Sequence, residues 1–300
     1  LTADQLSGLT TLQVSKLVAS QLASLDSTQL QALTTLQASV LTAAQIASLD
    51  SSQIGKLEAD DMAKLSTGVI AALTDAQIDG LTGQQITDLT TTQVAALTAA
   101  QVTGLSTTQI VAMESSDFAK LSTSAIAGLT VTQAAVLTAD QVGALSTTQF
   151  RSLEAADLGA INTNAIAGLT TAHAAVLTAT QALGLTSAQI AKMDAVDIQQ
   201  FSTSVVAGLT ADQLNGLTAE QIAVLGLTGT TQVWSLNATQ MASLDSTQLQ
   251  ALTTLQASIL TASQMASLDS SQIGKLEADD MAKLSTGVIA ALADAQFDGL

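Results

Sequence analysis

Leucine recurs every eight residues along most of the chain, and the polar residues between the leucines follow a fixed order. The eight-residue unit, here called an octad, has the form L-T-x-x-Q-[I/V]-x-x and continues without a shift from Leu1 to Val224. Residues 89–112, for example, contain LTTTQVAA, LTAAQVTG and LSTTQIVA. Position 1 is always apolar in this part of the chain, position 5 is mostly glutamine, and position 6 is usually Ile, Val or Leu.

The spacing of these apolar positions fits neither a continuous helix nor a strand. At 3.6 residues per turn, eight residues advance by about 800°, so the leucine row would drift around a helix by about 80° per octad. In a strand, positions 1 and 6 would point to opposite faces, because side chains alternate with a period of two. Each octad must therefore contain its own turn.

The polar positions supply signals for the start of a helix. T-x-x-Q is a capping box, and the apolar residues on either side of it occupy the two places of a hydrophobic staple. In LTAAQVTG these residues are Leu97, Thr98, Gln101 and Val102. A helix of about six residues is unstable alone, so neighbouring octads must stack on one another. The sequence predicts an all-α solenoid or superhelix of very short helices, one per octad, with positions 1 and 6 inside.

Positions 7 and 8 predict how each helix ends. All seven lysines occupy position 8, where they would complement the helix dipole (Lys16, Lys56, Lys64, Lys120, Lys192, Lys275 and Lys283). Glycine is also frequent at position 8, which predicts a left-handed residue after each helix (Gly80, Gly104, Gly128, Gly168, Gly208 and Gly216). Where position 6 is alanine, a larger apolar residue follows, as Leu183 follows Ala182, which predicts that the second residue restores the core volume.

The octad order shifts once, at LGLTGTTQVWS, and this shift sets the expected organisation. We expect an octad-repeat solenoid over 1–224, an irregular joint over 225–235, and a continuing solenoid over 236–300 that begins the next 219-residue unit. Residues 25–80 recur as residues 244–299 with five differences, which supports this long unit. Gly226, Gly229 and Trp234 would mark a joint or a bend, or else the segment is a tolerated loop.

Composition limits the classes of partner. The chain is 47% hydrophobic but only 2% aromatic, so its core must be built from many small apolar side chains. A net charge of −17 disfavours nucleic acid and anionic membranes, which need a basic face. No apolar run approaches the roughly 18 residues of a membrane span. The absence of cysteine excludes disulfides and thiolate metal sites.

No group of residues has the pattern of a catalytic site, and we expect no enzymatic activity. His173, the single histidine, occupies position 5 and is predicted to replace glutamine in the capping box. Five octads carry acids at positions 2 and 5, and three of them recur every forty residues (Glu114 with Asp117, Glu154 with Asp157, Asp194 with Asp197). If five octads make a whole number of superhelical turns, Glu114, Glu154 and Asp194 would stack in a column, and the six acids would be candidate ligands for calcium, the one candidate cofactor. The alternative, which the pattern favours, is an acidic capping box on a solvated edge.

The phrase L-T-x-x-Q-[I/V]-x-x, as in LTTTQVAA and LTAAQVTG, resembles octad arrays of very large secreted or surface-attached bacterial proteins. The resemblance covers nearly the whole chain, and it implies an extracellular or cell-surface location and a structural use. We expect a fibre, filament or stalk at the cell surface or in a biofilm matrix, formed by self-association. The alternative is an adhesin-type binding module that presents its repeats to a glycan or a protein. Ice binding by threonine rows is a third hypothesis, disfavoured because the threonines serve as helix caps.

Overall fold

The computed structural model describes residues 1–226 and 231–299, and each regular element in these ranges is a helix of four to six residues. No strand occurs in the described residues. One helix falls in each octad, so the predicted all-α solenoid of short helices is confirmed. The chain divides into two compact units, Leu1–Leu153 and Glu154–Leu300, and segment 225–235 lies within the second unit.

The first unit contains nineteen helices, and we number them α1 to α19 in chain order. Their bounds are Ala3–Ser7, Thr11–Ser15, Ala19–Ala23, Ser27–Gln31, Thr35–Ala38, Ala43–Ile46, Ser51–Ile54, Ala59–Met62, Thr67–Ala71, Asp75–Asp79, Gly83–Thr87, Thr91–Ala95, Ala99–Gly104, Thr107–Ala112, Ser115–Phe118, Thr123–Ala127, Val131–Ala135, Ala139–Ala144 and Thr147–Ser152.

The described part of the second unit contains eighteen helices, numbered α20 to α37. Their bounds are Ala155–Ala160, Thr163–Ile166, Thr171–Val176, Ala179–Ala182, Ser187–Lys192, Ala195–Ile198, Thr203–Gly208, Ala211–Asn215, Ala219–Val224, Thr231–Trp234, Ala238–Ser243, Ser246–Gln250, Thr254–Ser258, Ala262–Ala266, Ser270–Ile273, Ala278–Met281, Thr286–Ala290 and Asp294–Phe297.

The helices begin as the polar pattern predicts. Before α13, Thr98 is extended at φ −77° and ψ 160°, and its hydroxyl accepts a hydrogen bond from the Gln101 N–H at 3.2 Å. The Thr98 N–H in turn donates to Gln101 Oε1 at 2.9 Å, which completes the capping box. Leu97 and Val102, the two residues of the staple, are buried. In most octads position 2 therefore fixes where the helix starts, whereas the helices that follow Glu58, Glu114 and Asp194 have no side-chain cap. Positions 1 and 6 fix which side faces inward.

Successive octads wind around to form coils, and helices three octads apart in the sequence pack on one another between neighbouring coils of a unit. In the first unit α10 packs on α13 and α13 packs on α16, and in the second unit α24 packs on α27 and α27 packs on α30. Positions 1 and 6 form the core between them, and all seven lysines at position 8 are exposed. Each unit is thus a stack of coils with an apolar interior.

Glycine at position 8 does not adopt the left-handed conformation that the sequence predicts. Gly80 has φ −74° and Gly216 has φ −75°, and among the described residues Gly226 alone has a positive φ, at 84°. The chain turns in the right-handed region instead, because the N–H of the next leucine bonds to the carbonyl of position 6, as Leu81 does to Ile78 at 3.2 Å. A β-carbon at Gly216 would lie 2.6 Å from the Ser187 backbone oxygen, so glycine is present to let adjacent coils approach closely.

The predicted compensation of volume fails for Ala182 and Leu183, whereas the larger residues at position 8 that follow a position-6 alanine, Val40, Val136 and Val176, are half-buried. Leu183 is 55% exposed although Ala182 beside it is buried. Leu183 keeps helical backbone angles, φ −63° and ψ −21°, and because it follows the inward-facing position 6 directly, its side chain points away from the interior. Leu177 at position 1 is the large apolar residue that this octad buries, beside the small Ala182.

Candidate functional site

The glutamine at position 5 joins one coil of a unit to another. Gln101 uses its Oε1 atom for the capping box of its own helix. Its Nε2 atom donates to the carbonyl oxygens of Ile70 and Leu73, both at 2.8 Å, which lie 31 and 28 residues earlier. One buried side chain therefore starts a helix and also bonds the end of an earlier helix.

The same bonds recur through both units, and we call this set of side chains the glutamine ladder. Its members are Gln37, Gln45, Gln53, Gln77, Gln85, Gln93, Gln101, Gln109, Gln133, Gln141 and Gln149 in the first unit. In the second unit they are Gln189, Gln213, Gln221, Gln232, Gln240, Gln248, Gln256, Gln264, Gln272 and Gln296. For Gln101 the two carbonyls belong to position 1 of the octad three before and to position 6 of the octad four before, so the side chain bonds the coil on which its own helix packs.

Sequence reasoning identified the capping role of these glutamines but missed the bonds between coils. A capping box accepts glutamate as well as glutamine at this position, yet position 5 is never glutamate in this chain. Glutamate can accept the N-cap N–H, but it has no N–H to offer to buried carbonyls. The absence of glutamate from a position that is mostly glutamine was the signal for a second, donating role.

Ladder glutamines occur on both sides of segment 225–235, and the separations of the hydrogen bonds that span it are three residues longer than elsewhere. Gln240 and Gln256 donate to carbonyls 31 and 34 residues earlier, whereas Gln264 has returned to separations of 28 and 31. The Gly226 N–H, at the one positive φ, donates to Gln232 Oε1 at 2.6 Å. The change in separation is confined to the glutamines whose hydrogen bonds span this segment, and the joint predicted over 225–235 stays a prediction. Gly229 and the Trp234 side chain, also predicted to mark a joint, lie outside the described residues.

The ladder is interrupted where two successive octads lack glutamine at position 5. Aspartate occupies that position in the first octad of each pair, and valine or alanine occupies it in the second. The pairs are Asp61 with Val69, Asp117 with Ala125, Asp157 with Ala165, Asp197 with Val205 and Asp280 with Val288. All ten side chains are buried. We call each pair a ladder gap.

The acids predicted as calcium ligands lie in octads that begin a ladder gap, and the acids at positions 2 and 5 of each octad have different environments. Glu114, Glu154 and Asp194 at position 2 are exposed, whereas Asp117, Asp157 and Asp197 at position 5 are buried. Burial, and then the charge of Asp194, raises the pKa of Asp197 to about 6. Burial followed by the Glu114 charge likewise raises the pKa of Asp117. Burial also raises the pKa of Asp157, against a lowering by the Glu154 backbone N–H, which donates to Asp157 Oδ2 at 3.2 Å.

The condition for a calcium column is not met within the second unit. Helices that pack on one another are three octads apart, whereas Glu154 and Asp194 are five octads apart, so these acids do not fall at the same place on successive coils. No group of three or more His, Cys, Asp or Glu side chains within residues 1–226 and 231–299 has the arrangement of a metal site. Calcium binding by Glu114, Asp117, Glu154, Asp157, Asp194 and Asp197 stays a prediction.

His173 takes the place of glutamine, as predicted. It is 2% exposed, and its Nδ1 atom accepts the Thr170 N–H at 3.2 Å. The His173 N–H donates back to the Thr170 hydroxyl at 3.3 Å, so the capping box is complete. The histidine therefore starts helix α22 in the same way as the glutamines start theirs.

Comparison with known proteins identifies one repeat family. The family model of the ALTTAQ repeat matches residues 54–91, 110–147 and 190–227. Each matched segment starts three residues before an acidic octad and so contains one ladder gap, at Asp61, Asp117 or Asp197. No curated protein matches the chain. In the part of the chain that the structure describes, no helix has the length and apolar character needed to cross a membrane.

Proposed function

We propose that the chain is a structural repeat protein that forms part of an extracellular fibre, filament or stalk. The glutamine ladder is the observation that carries this proposal. It uses the buried polar side chains of successive octads to hold coil to coil, at the same separations in both units. The side chains that would otherwise be available for chemistry are committed to joining coils.

The tolerance of the ladder to changes in length supports the same proposal. Three extra residues at segment 225–235 are absorbed within one coil, after which the original separations return. The chain also contains a near-identical duplication of residues 25–80. Repeats that contact only their neighbours can be added without changing existing contacts, so such a chain can be lengthened by duplication. Length is the property that a stalk or fibre requires.

The surface supports a location outside the cell and an assembly along the chain direction. The chain has 25 acidic and 8 basic residues and no cysteine, and its octads resemble those of secreted and surface-attached bacterial proteins. A strongly negative net charge keeps neighbouring surfaces apart and favours solubility. Because this charge opposes contact between the sides of two chains, self-association into filaments is proposed to occur end to end, by the same stacking of coil on coil that holds each unit together.

Electron microscopy of the purified chain, together with light scattering, tests this function. The proposal expects elongated particles or filaments whose formation is lost when Gln101 and Gln221, one ladder residue from each unit, are both replaced by glutamate. The matched control is Gln13→Glu, because Gln13 is exposed and serves only its own capping box. Compact, dispersed monomers that bind a glycan or protein would support the adhesin hypothesis instead. Cell fractionation of the producing organism separately tests the extracellular location.

A further inference from the structure

Asp61 and Asp280 occupy the same place in the two copies of the duplicated segment, and each buries a carboxyl group that lacks a partner. Both side chains are 2% exposed, and Oδ2 of each makes no hydrogen bond. An unpartnered polar atom in a protein interior is costly and usually has a specific cause. Its recurrence 219 residues apart shows that the feature belongs to the repeated segment.

The position of these carboxyls in the ladder explains what they lack. Glutamine at position 5 donates to carbonyls 28 and 31 residues earlier, as Gln85 does to Leu57 and Ile54. The corresponding carbonyls for Asp61 are those of Leu33 and Leu30, and for Asp280 they are those of Leu252 and Leu249. In that register an ionised carboxyl would add acceptor atoms on the side of the helix where a glutamine donates to two carbonyl oxygens. A protonated carboxyl has the O–H donor that this place requires.

No positive charge compensates Asp61 from the helices that pack on it. Its helix, α8, packs on α5 and α11, and neither contains an ionisable residue, although Asp88 follows α11. The charged residues on its own helix are Glu58 and Asp60, both acidic, while Lys64 is exposed beyond the helix end. Burial, then Glu58, then Asp60 raise the pKa of Asp61 to about 6.

Asp280 has equivalent surroundings in the second unit. Its helix, α35, packs on α32, which contains no ionisable residue. Glu277 and Asp279 are the acids of its own helix, and Lys283 is exposed. Burial and then these two acids raise the pKa of Asp280. The two sites therefore share their ladder position, their burial and the sign of the surrounding charge.

We propose that Asp61 and Asp280 are acid-sensitive positions of the ladder, which bind a proton in mildly acidic medium and thereby strengthen the contact between coils. In neutral medium the carboxyls are ionised and the ladder stays open at these positions. Protonation would make the contact between coils more stable in acid, and these coils would separate more easily at neutral pH. It requires no ligand other than the proton.

The direction of the pH dependence follows from linkage. The pKa of Asp61 is about 6 in the folded chain against 3.8 for the free side chain, so the folded state binds the proton more tightly. The added stability is complete below pH 3.8 and is lost as the pH rises to about 6. At about pH 5, between the two pKa values, protonation of Asp61 should favour folding by a factor on the order of 10 relative to neutral pH.

Urea unfolding at about pH 7.5 and about pH 5 tests the proposal. The wild-type midpoint should be higher at the lower pH, and the double variants Asp61→Gln with Asp280→Gln and Asp61→Asn with Asp280→Asn should lose part of this rise. Asp50→Asn with Asp269→Asn is the matched control, because hydrogen bonds from Ser52 and Gln53 lower the pKa of Asp50, and equivalent bonds lower that of Asp269. The control pair should retain the rise.

Infrared spectroscopy measures the proton directly and does not depend on unfolding. Between the same two pH values, wild-type protein should gain a protonated-carboxyl band whose amplitude falls in both Asp61 and Asp280 double variants. An identical pH profile and band in wild type and variants would overturn the proposal. A gain in stability with calcium chloride at neutral pH, lost in the double variants, would also overturn it, since a cation would then fill the gap.

Discussion

Residues 73–112 and residues 57–72 are neighbouring stretches of one unit with the same octad length but different connections between coils. In the first stretch, glutamines at position 5 of successive octads bond carbonyls of an earlier coil. In the second stretch those positions are Asp61 and Val69, so no glutamine donates from this stretch to the earlier coil. Its carbonyls still accept hydrogen bonds from the later coil, as Met62 does from Gln93. The octad thus fixes the shape of a coil, while position 5 determines how firmly two coils are joined.

The largest expected effect comes from placing a charge in the complete stretch. Gln101→Glu keeps the acceptor of the capping box but removes both donors and sets a carboxylate against the carbonyls of Ile70 and Leu73. We expect a loss of about 3 kcal/mol or more in the free energy of unfolding. Urea unfolding at neutral pH measures it. Gln13→Glu, at an exposed capping glutamine, should cost less than about 0.5 kcal/mol, and equal losses in the two variants would refute the donating role.

The second-largest effect is expected from adding a β-carbon at a glycine, because the space around the glycine differs between the two stretches. A β-carbon at Gly80 would overlap the backbone of Ser51 in an adjacent coil, which cannot move aside as a side chain can. Gly80→Ala should therefore destabilise the chain by about 1–3 kcal/mol. In the gap stretch, a β-carbon at Gly68 would lie 3.9 Å from its nearest neighbour, Ser66 Oγ. Gly68→Ala should stabilise helix α9 by about 0.5–1 kcal/mol, so thermal melting should move in opposite directions for the two variants.

The fold was predictable because each octad carries its own helix-start signals. Thr98, Gln101, Leu97 and Val102 have in the structure the roles that the capping box and the staple assign to them. The ladder was not predicted, because a capping box explains glutamine at position 5 through its acceptor alone. The separation of 28 residues has no sequence signal at the level of one octad. It depends on how tightly coils pack, and so on contacts such as Gly80 with Ser51.

A smaller effect is expected from repairing the gap. Val69 occupies position 5, and the carbonyls 28 and 31 residues earlier belong to Leu41 and Ala38. Val69→Gln would supply an amide to both, as the other ladder glutamines do, and should raise the free energy of unfolding by about 1 kcal/mol. Val69→Met is the control, because it has a similar length and no donor. If methionine stabilises as much as glutamine, filled volume rather than hydrogen bonding explains the gain.

The smallest expected effect concerns calcium. In the gap at Glu114 and Asp117, the first side chain is exposed and the second is buried, so the two carboxylates do not present a shared face to a cation. Calcium needs six to eight oxygen ligands, and one exposed carboxylate with water provides only weak binding. Millimolar calcium should therefore shift the melting temperature by no more than about 1 °C. A rise of several degrees that disappears in Glu114→Gln but persists in Asp75→Asn, an acid outside the gaps, would establish the calcium site that the sequence predicts.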